Sequence, residues 1–407
     1  MERRELLKLV STATLVGGIM GPKSLANAAT APATNVVSRN LFQELGIRTF
    51  INARGTITAM TGSLMHQEVL DAIKAGAQEF CMLDEVQDKV GERIAKLVHS
   101  EAAVVTSGAF AAITLGLAGV LTGMDEKKVT QLPHLEGTGM KSEVICQKAH
   151  DIVYNQALKN TGCKVIMVET KEELEKAISE KTALMFFLNI EADKGKIGHE
   201  EWVSLGKKHG IPTMIDIAAD VPPVSNLWRF NDMGFDLVCI SGGKAMRGPQ
   251  SAGILMGRKN IIQAARLSMP PRGFNIGRGM KVNKEEVLGM YVALERFVNE
   301  DHQATWKDWE NRTAKVAKQV ESVAGISTRT FVPTLGNVTP NLEISWDAYK
   351  LKLDGETLAT RLRNGNPSIE LGETKPNSVS LTVWMMKQGE ETIVANRLVE
   401  ELKKAKS

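Results

Sequence analysis

The sequence predicts an α/β protein: a mostly parallel seven-stranded sheet with helices on both faces, followed by a smaller C-terminal α+β domain. Three observations predict it. Between Ala102 and Met256, seven short apolar runs (AAVVT, EVICQ, KVIMV, ALMFFL, TMIDI, LVCIS, AGILM) alternate with helical patterns, as parallel strands joined by crossover helices require. After Gly279 the pattern changes to a helix-rich stretch, Glu285 to Gly325, and then to strand-like runs (STRTFV, NLEISW, SVSLTVW) set between helical segments. Finally, 407 residues with 43% hydrophobic and 24% charged side chains are enough to bury a large core.

In chain order, residues 1–35 read as an export signal and linker. Arg3 and Arg4 are paired, Leu9 to Met20 is modestly apolar, and small residues follow at Ala26-Asn27-Ala28, the pattern of a twin-arginine signal. The apolar stretch is too short for a stable membrane anchor. The expectation is an exported, periplasmic protein; the alternative is a cytoplasmic enzyme with an N-terminal arm. Residues 36–283 are then an N-terminal arm and large domain, and residues 284–407 a small domain.

Helices are expected at residues 66–81 and 84–99, where Val86, Val90, Ile94 and Leu97 recur at three- and four-residue steps. The run AAVVT breaks at Ser107-Gly108 into a long apolar helix reaching Leu121, and helices at Gly355 to Arg363 and Glu390 to Lys403 belong to the small domain. Cys81, Cys146, Cys163 and Cys239 have no CxxC spacing and sit in apolar runs, so they read as core residues. The 7 histidines lack metal-ligand spacing, and no metal site is expected. A net charge of +3 without a basic block carrying interleaved aromatics excludes nucleic acid as an expected partner.

The chemistry concentrates at three strand ends. In DLVCISGGKAMRGPQSAGILMG, Asp236 to Gly257, two apolar runs flank Lys244, and a buried lysine acquires the neutral amine that Schiff-base chemistry uses. Gly242 and Gly243 are expected to let backbone and cofactor approach, and GPQ to return the chain to the sheet at an edge or turn. Upstream, IPTMIDIAAD ends a buried strand on Asp216, an acid that needs a cationic or donor partner. In a pyridoxal phosphate (PLP) enzyme that partner is the pyridine nitrogen. The turn at Ser107, Gly108 and Ala109 offers free amides and a positive helix end to a phosphate. Taken singly, these segments also read as a surface hairpin, an acid capping a turn, and an ordinary strand-turn-helix. Together, in one chain order and each at a strand end, they point to a PLP site.

Here the chain resembles the fold-type I PLP enzymes, specifically the selenocysteine synthase-like group that includes the D-glucosaminate-6-phosphate ammonia-lyases. The resemblance rests on INARGTIT, TSGAFAAITL, ICQKAHD, MIDIAAD, the Lys244 segment and GRGMKVNKEE, which span most of the chain after residue 47. It implies PLP on Lys244, Asp216 at the ring nitrogen, Ser107, Gly108, Ala109 and Ser241 around the phosphate, and His150 stacked on the ring. The alternative for His150 is the cap of a helix beginning at Asp151. Arg278, with Arg247 and Lys281, is a candidate for added cationic contacts, and a homodimer or higher homo-oligomer is implied. The resemblance further implies α,β-elimination on a small-molecule 3-hydroxy-2-amino acid such as an amino sugar acid, yielding a 2-keto-3-deoxy acid and ammonia. Alternatives are selenocysteine synthase-like β-replacement, other PLP chemistry such as transamination or racemisation, and a catalytically silent exported binding protein. The run PSIELGETKPNSVSL lacks the carboxylate-binding arginine that relatives often place there, so Arg54 is the preferred substitute.

Overall fold

The structure, a computed structural model, describes residues 39–405 except Ala348 and Lys350. The export-signal reading of residues 1–35 therefore lies outside the described residues. A short leading unit ends at Arg48 and holds helix α1 (Leu41–Glu44), whose Asn40 cap accepts from the Gln43 N–H at 3.2 Å. The chain from Thr49 onward forms one compact unit. It opens with β1 (Ile51–Ala53), α2 (Gln67–Gly76) and α3 (Leu83–Leu97).

Next come β2 (Ala102–Thr106), α4 (Gly108–Thr122), α5 (Glu126–Gln131), β3 (Glu143–Gln147), α6 (Gln156–Lys159), β4 (Lys164–Val168), α7 (Lys171–Ala177) and β5 (Thr182–Leu188). They lead into α8 (His199–His209), β6 (Thr213–Asp216), α9 (Asn226–Met233), β7 (Leu237–Ser241), β8 (Gly253–Gly257) and α10 (Lys259–Leu267). Strands β2 to β8 are the seven apolar runs of the sequence, and they form one sheet in the order β2-β8-β7-β6-β5-β3-β4. Only β8 runs against its neighbours, β2 and β7. The return after GPQ is thus made by a turn into the interior of the sheet, not to its edge. Strand β8 tolerates that position because all five of its residues are buried and Gly257, at φ +143°, lets the chain press on the Asp236 carbonyl.

Alternate side chains of these strands feed two cores, as the two-residue period dictates. Val105, Ile145, Phe187, Ile215, Val238 and Ile254 face α3, α8, α9 and α11 (Lys284–Val298) on one side. On the other side Val104, Val144, Phe186, Met214, Leu237 and Leu255 face α4, α6 and α10. Helices therefore cover both faces. The remaining chain comprises α12 (His302–Val320), β9 (Ile326–Phe331), β10 (Asn341–Trp346), α13 (Gly355–Arg363), β11 (Ile369–Leu371), β12 (Thr374–Lys375), β13 (Ser378–Thr382) and α14 (Glu390–Lys404). It builds an antiparallel sheet in the order β12-β13-β10-β9 with a core of its own, while β11 pairs in parallel with β1.

Two expectations are corrected here. Helix α2 stops at Gly76, five residues before the expected end at Cys81, because the following segment has no apolar face to bury: Phe80 and Met82 are exposed. Cys81 lies in that connection and is exposed, whereas Cys146, Cys163 and Cys239 are buried.

Candidate active site

Strand register places the three chemical segments at one end of the sheet. Ser241 at the end of β7 is paired with Gly253 at the start of β8, which is paired in turn with Thr106 at the end of β2. Asp216, at the end of β6, is opposite Cys239 of β7. The loop between β7 and β8 carries Lys244 over this edge. A cleft of about 220 Å³ opens there, lined by Thr56, Thr58, Gly62, Ser241, Gly243, Lys244, Gln250 and Ser251.

The lysine loop is held by its own backbone. The Arg247 N–H donates to the Lys244 carbonyl at 3.0 Å, and the Gly248 and Gly242 N–H groups donate to Gly242 and Ala252 carbonyls. A Cβ on Gly242 would meet the Met290 Sδ, and one on Gly243 the Gln250 Cα. These glycines are therefore small because protein packs on them: backbone of Gln250 at Gly243, the close backbone approach expected from the sequence, and the Met290 side chain at Gly242. Across the cleft, the Ser63 hydroxyl donates to the Gly243 carbonyl at 3.1 Å and Gln250 donates to the Thr58 carbonyl at 2.9 Å. The segment after β1 is thereby tied to the lysine loop.

Electrostatics distinguish this corner from the rest of the sheet. Burial pushes the Asp216 carboxyl up to about 6, against the Ala218 N–H that it accepts at 2.8 Å and against the charge of Lys244. Burial likewise pulls Lys244 below its ordinary value, with Asp216 and then Asp220 pulling it back up. Asp220, which the sequence reading did not single out, is 2% exposed and is also raised by burial. Its only sequence signal was its place four residues after Asp216 in IDIAAD.

The remaining expected residues are placed unevenly. Ser107 precedes α4 with no side-chain cap bond, and Gly108 holds φ +85° with only the Ser251 carbonyl within 4 Å of where a Cβ would sit. Ala109 is buried in the first turn. His150 is fully buried and is not among the residues lining the cleft; its Nδ1 accepts from the Leu188 N–H at 3.2 Å, and its ring meets Phe187 edge-on at 4.6 Å. Burial lowers it to about 4, so it is neutral near pH 7. No helix begins at Asp151, so the capping alternative does not apply. Arg54 is exposed in the turn after β1, and Arg278 is exposed in a turn that does not line the cleft. Lys281 lines a separate hollow with Cys81 and Glu286. Arg247 holds φ +54°, and its buried Nε has no hydrogen-bond partner among the described residues. Thr56, Thr58, Gly62, Gln250 and Ser251 line the cleft without having been named individually; INARGTIT signalled the two threonines and the Asp236–Gly257 segment signalled Gln250 and Ser251, while Gly62 lay in no motif.

Residues 74–276, which hold the whole seven-stranded sheet, match the family Aminotransferase class-V. The chain carries an aminotransferase class-V domain. The domain continues into relatives of full length. D-glucosaminate-6-phosphate ammonia lyase of Salmonella typhimurium is 27% identical over 374 residues, covering 89% of this chain and 97% of its own. The 5'-C-glycyluridine monooxygenase-decarboxylase of a Streptomyces species is also 27% identical, covering 89% and 91%. L-seryl-tRNA(Sec) selenium transferase of Moorella thermoacetica is 24% identical, covering 93% and 88%. A solved structure of D-glucosaminate-6-phosphate ammonia-lyase superposes with a TM-score of 0.80 at 26% identity over 91% of this chain and all of that one.

The cofactor of this class-V domain is pyridoxal 5'-phosphate, and the residues present fit it. The test is the open cradle at Gly108, beside a helix of 15 residues whose first amides have no side-chain cap, together with a half-buried lysine facing a buried carboxylate that lacks a full cation partner.

Proposed function

We propose that the protein is a PLP-dependent carbon-nitrogen lyase. Its substrate is a 3-hydroxy-2-amino acid such as an amino sugar acid, and its products are a 2-keto-3-deoxy acid and ammonia. The Lys244–Asp216 pair at the strand ends carries this reading, supported by likeness along nearly the whole chain to an ammonia lyase.

When bound, pyridoxal phosphate supplies a sink for the electron pair left at the substrate Cα. Lys244 is the residue that holds it. With the cofactor bound, the Lys244 Nζ would take the substrate Cα proton, and burial provides the neutral amine for this role. The same Nζ returns that proton to the leaving 3-hydroxyl, which departs as water. The released enamine takes a proton at C3 to become an imine, and water at its Cα then expels ammonia, so the net change is loss of ammonia alone. Asp216 keeps the ring nitrogen protonated, a partner that relieves its own burial. Amides of Gly108 and Ala109 with the hydroxyls of Ser107 and Ser241 hold the phosphate. His150 braces the wall beside Leu188 as a neutral ring, and Arg54 takes the substrate carboxylate, with Arg247 as the other cation available. Arg278 reaches the phosphate of a neighbouring subunit in a homodimer. Residues 1–35 direct export through the twin-arginine route.

The test is incubation of the PLP-loaded protein with D-glucosaminate 6-phosphate, or with the unphosphorylated acid, in the absence of a keto-acid acceptor. Ammonia and 2-keto acid should appear in equal amounts. Amine retained on the cofactor without free ammonia would instead indicate transamination. Oxygen uptake with carbon dioxide release would favour chemistry like that named for the Streptomyces relative.

A further inference from the structure

We propose that Asp220 is a positioning residue that latches the Gly336–Asn337 turn onto the end of β6, and that Asn337 in turn fixes Thr56 in the wall of the substrate cleft. The chain of contacts is continuous. One Asp220 carboxylate oxygen accepts the Gly336 N–H at 3.0 Å in a buried setting, and the Asn337 N–H donates to the neighbouring Ala219 carbonyl at 2.6 Å. The Thr56 hydroxyl donates to the Asn337 side-chain oxygen at 3.0 Å, and Thr56 lines the cleft that Lys244 shares.

The turn is shaped for this use. Gly336 at φ +64° and Asn337 at φ +47° both take the left-handed conformation, which glycine adopts freely and asparagine tolerates. The Asp220 backbone is pinned in turn, its carbonyl accepting from the Asn226 amide at 2.6 Å. A carboxylate 2% exposed is costly to keep unless its acceptors are used, and here a backbone N–H from a segment 116 positions away uses one. Asp220 thus joins the connection between β9 and β10 to the strand end that carries Asp216. It acts on substrate affinity through Thr56 and touches neither substrate nor cofactor.

The experiment compares Asp220→Ala, Asp220→Asn and Asn337→Gly in the PLP-loaded protein. Glycine is chosen at 337 because it keeps the backbone conformation while removing the side-chain acceptor. Amide exchange across residues 332–340, read by mass spectrometry, should rise about tenfold in Asp220→Ala and stay near the parent in Asp220→Asn, which keeps an acceptor oxygen. With D-glucosaminate 6-phosphate as the probe, KM should rise about tenfold in Asp220→Ala and in Asn337→Gly with kcat little changed, and the double variant should be no worse than either. Unchanged exchange in Asp220→Ala overturns the latch. So does an Asp220→Asn as impaired as Asp220→Ala with kcat falling, since that assigns Asp220 to the charge of Lys244. If Asp220→Ala does not fold, Asn337→Gly decides: an unchanged KM overturns the proposal. Only the KM measurement rests on the lyase reading. A parent protein inert to the probe removes that reading and leaves the exchange result to judge the latch.

Discussion

Lys244 and Asp216 are the two residues whose removal separates chemistry from fold. Lys244→Ala should abolish turnover and the visible absorption band of the lysine-bound cofactor while leaving the thermal unfolding of the cofactor-free protein unchanged or slightly improved, since a buried amine is deleted. Turnover retained would remove Lys244 from the mechanism. Asp216 acts on stability with the sign opposite to that of an ordinary paired carboxylate. Its folded-state pKa lies near 6, above the unfolded value of about 4, so between these values the folded cofactor-free protein binds more protons and loses stability as pH rises. Asp216→Asn removes that loss. The cofactor-free variant should melt about 2 °C or more above the parent at pH 7.5 and converge with it near pH 4, while its cofactor-loaded turnover falls steeply. A parent that melts higher at pH 7.5 would show that Asp216 is already satisfied by protein groups.

At the scale of elements, the site depends on how closely α4 lies against its neighbours. A Cβ on Gly119 would come within 2.7 Å of both the Ala265 N and the Ile261 carbonyl oxygen of α10, backbone that cannot step aside. Gly119→Ala should therefore lower Tm by several degrees although alanine is the better helix former, and weaken phosphate retention by tilting the Ser107–Gly108 end; a rise in Tm would contradict this packing. All seven strands of the large sheet were legible, because each is a continuous apolar run between turn signals; two-sided burial writes the inner ones that way, and the edge strand β4, where only Val168 is buried, keeps such a run too. Strands β1, β11 and β12 were not, since runs of two or three residues carry no period. Lys244 and Asp216 were legible from strand-end position. Asp220, Thr56 and the packing role of Gly242 were not, because each depends on a segment distant in sequence: Gly336, Asn337 and Met290 respectively.

At the scale of the molecule, the described residues contain no helix long and apolar enough to cross a membrane. A fusion of residues 1–35 to a folded reporter should be exported through the twin-arginine route and be blocked by Arg3→Lys with Arg4→Lys; export surviving both changes would rule out that route. Assembly and cofactor should be linked, because a donor from a second subunit would tighten the phosphate site. Light scattering on dilution, with the visible band followed in parallel, should show both lost together, and a monomer that keeps its cofactor would remove Arg278 from the site. One lysine at one cleft underlies the whole of the proposed chemistry. Borohydride reduction of the PLP-loaded protein, followed by proteolysis and mass spectrometry, should place the fixed pyridoxyl group on the peptide containing Lys244 and on no other. A label on a different lysine, or none, would contradict it.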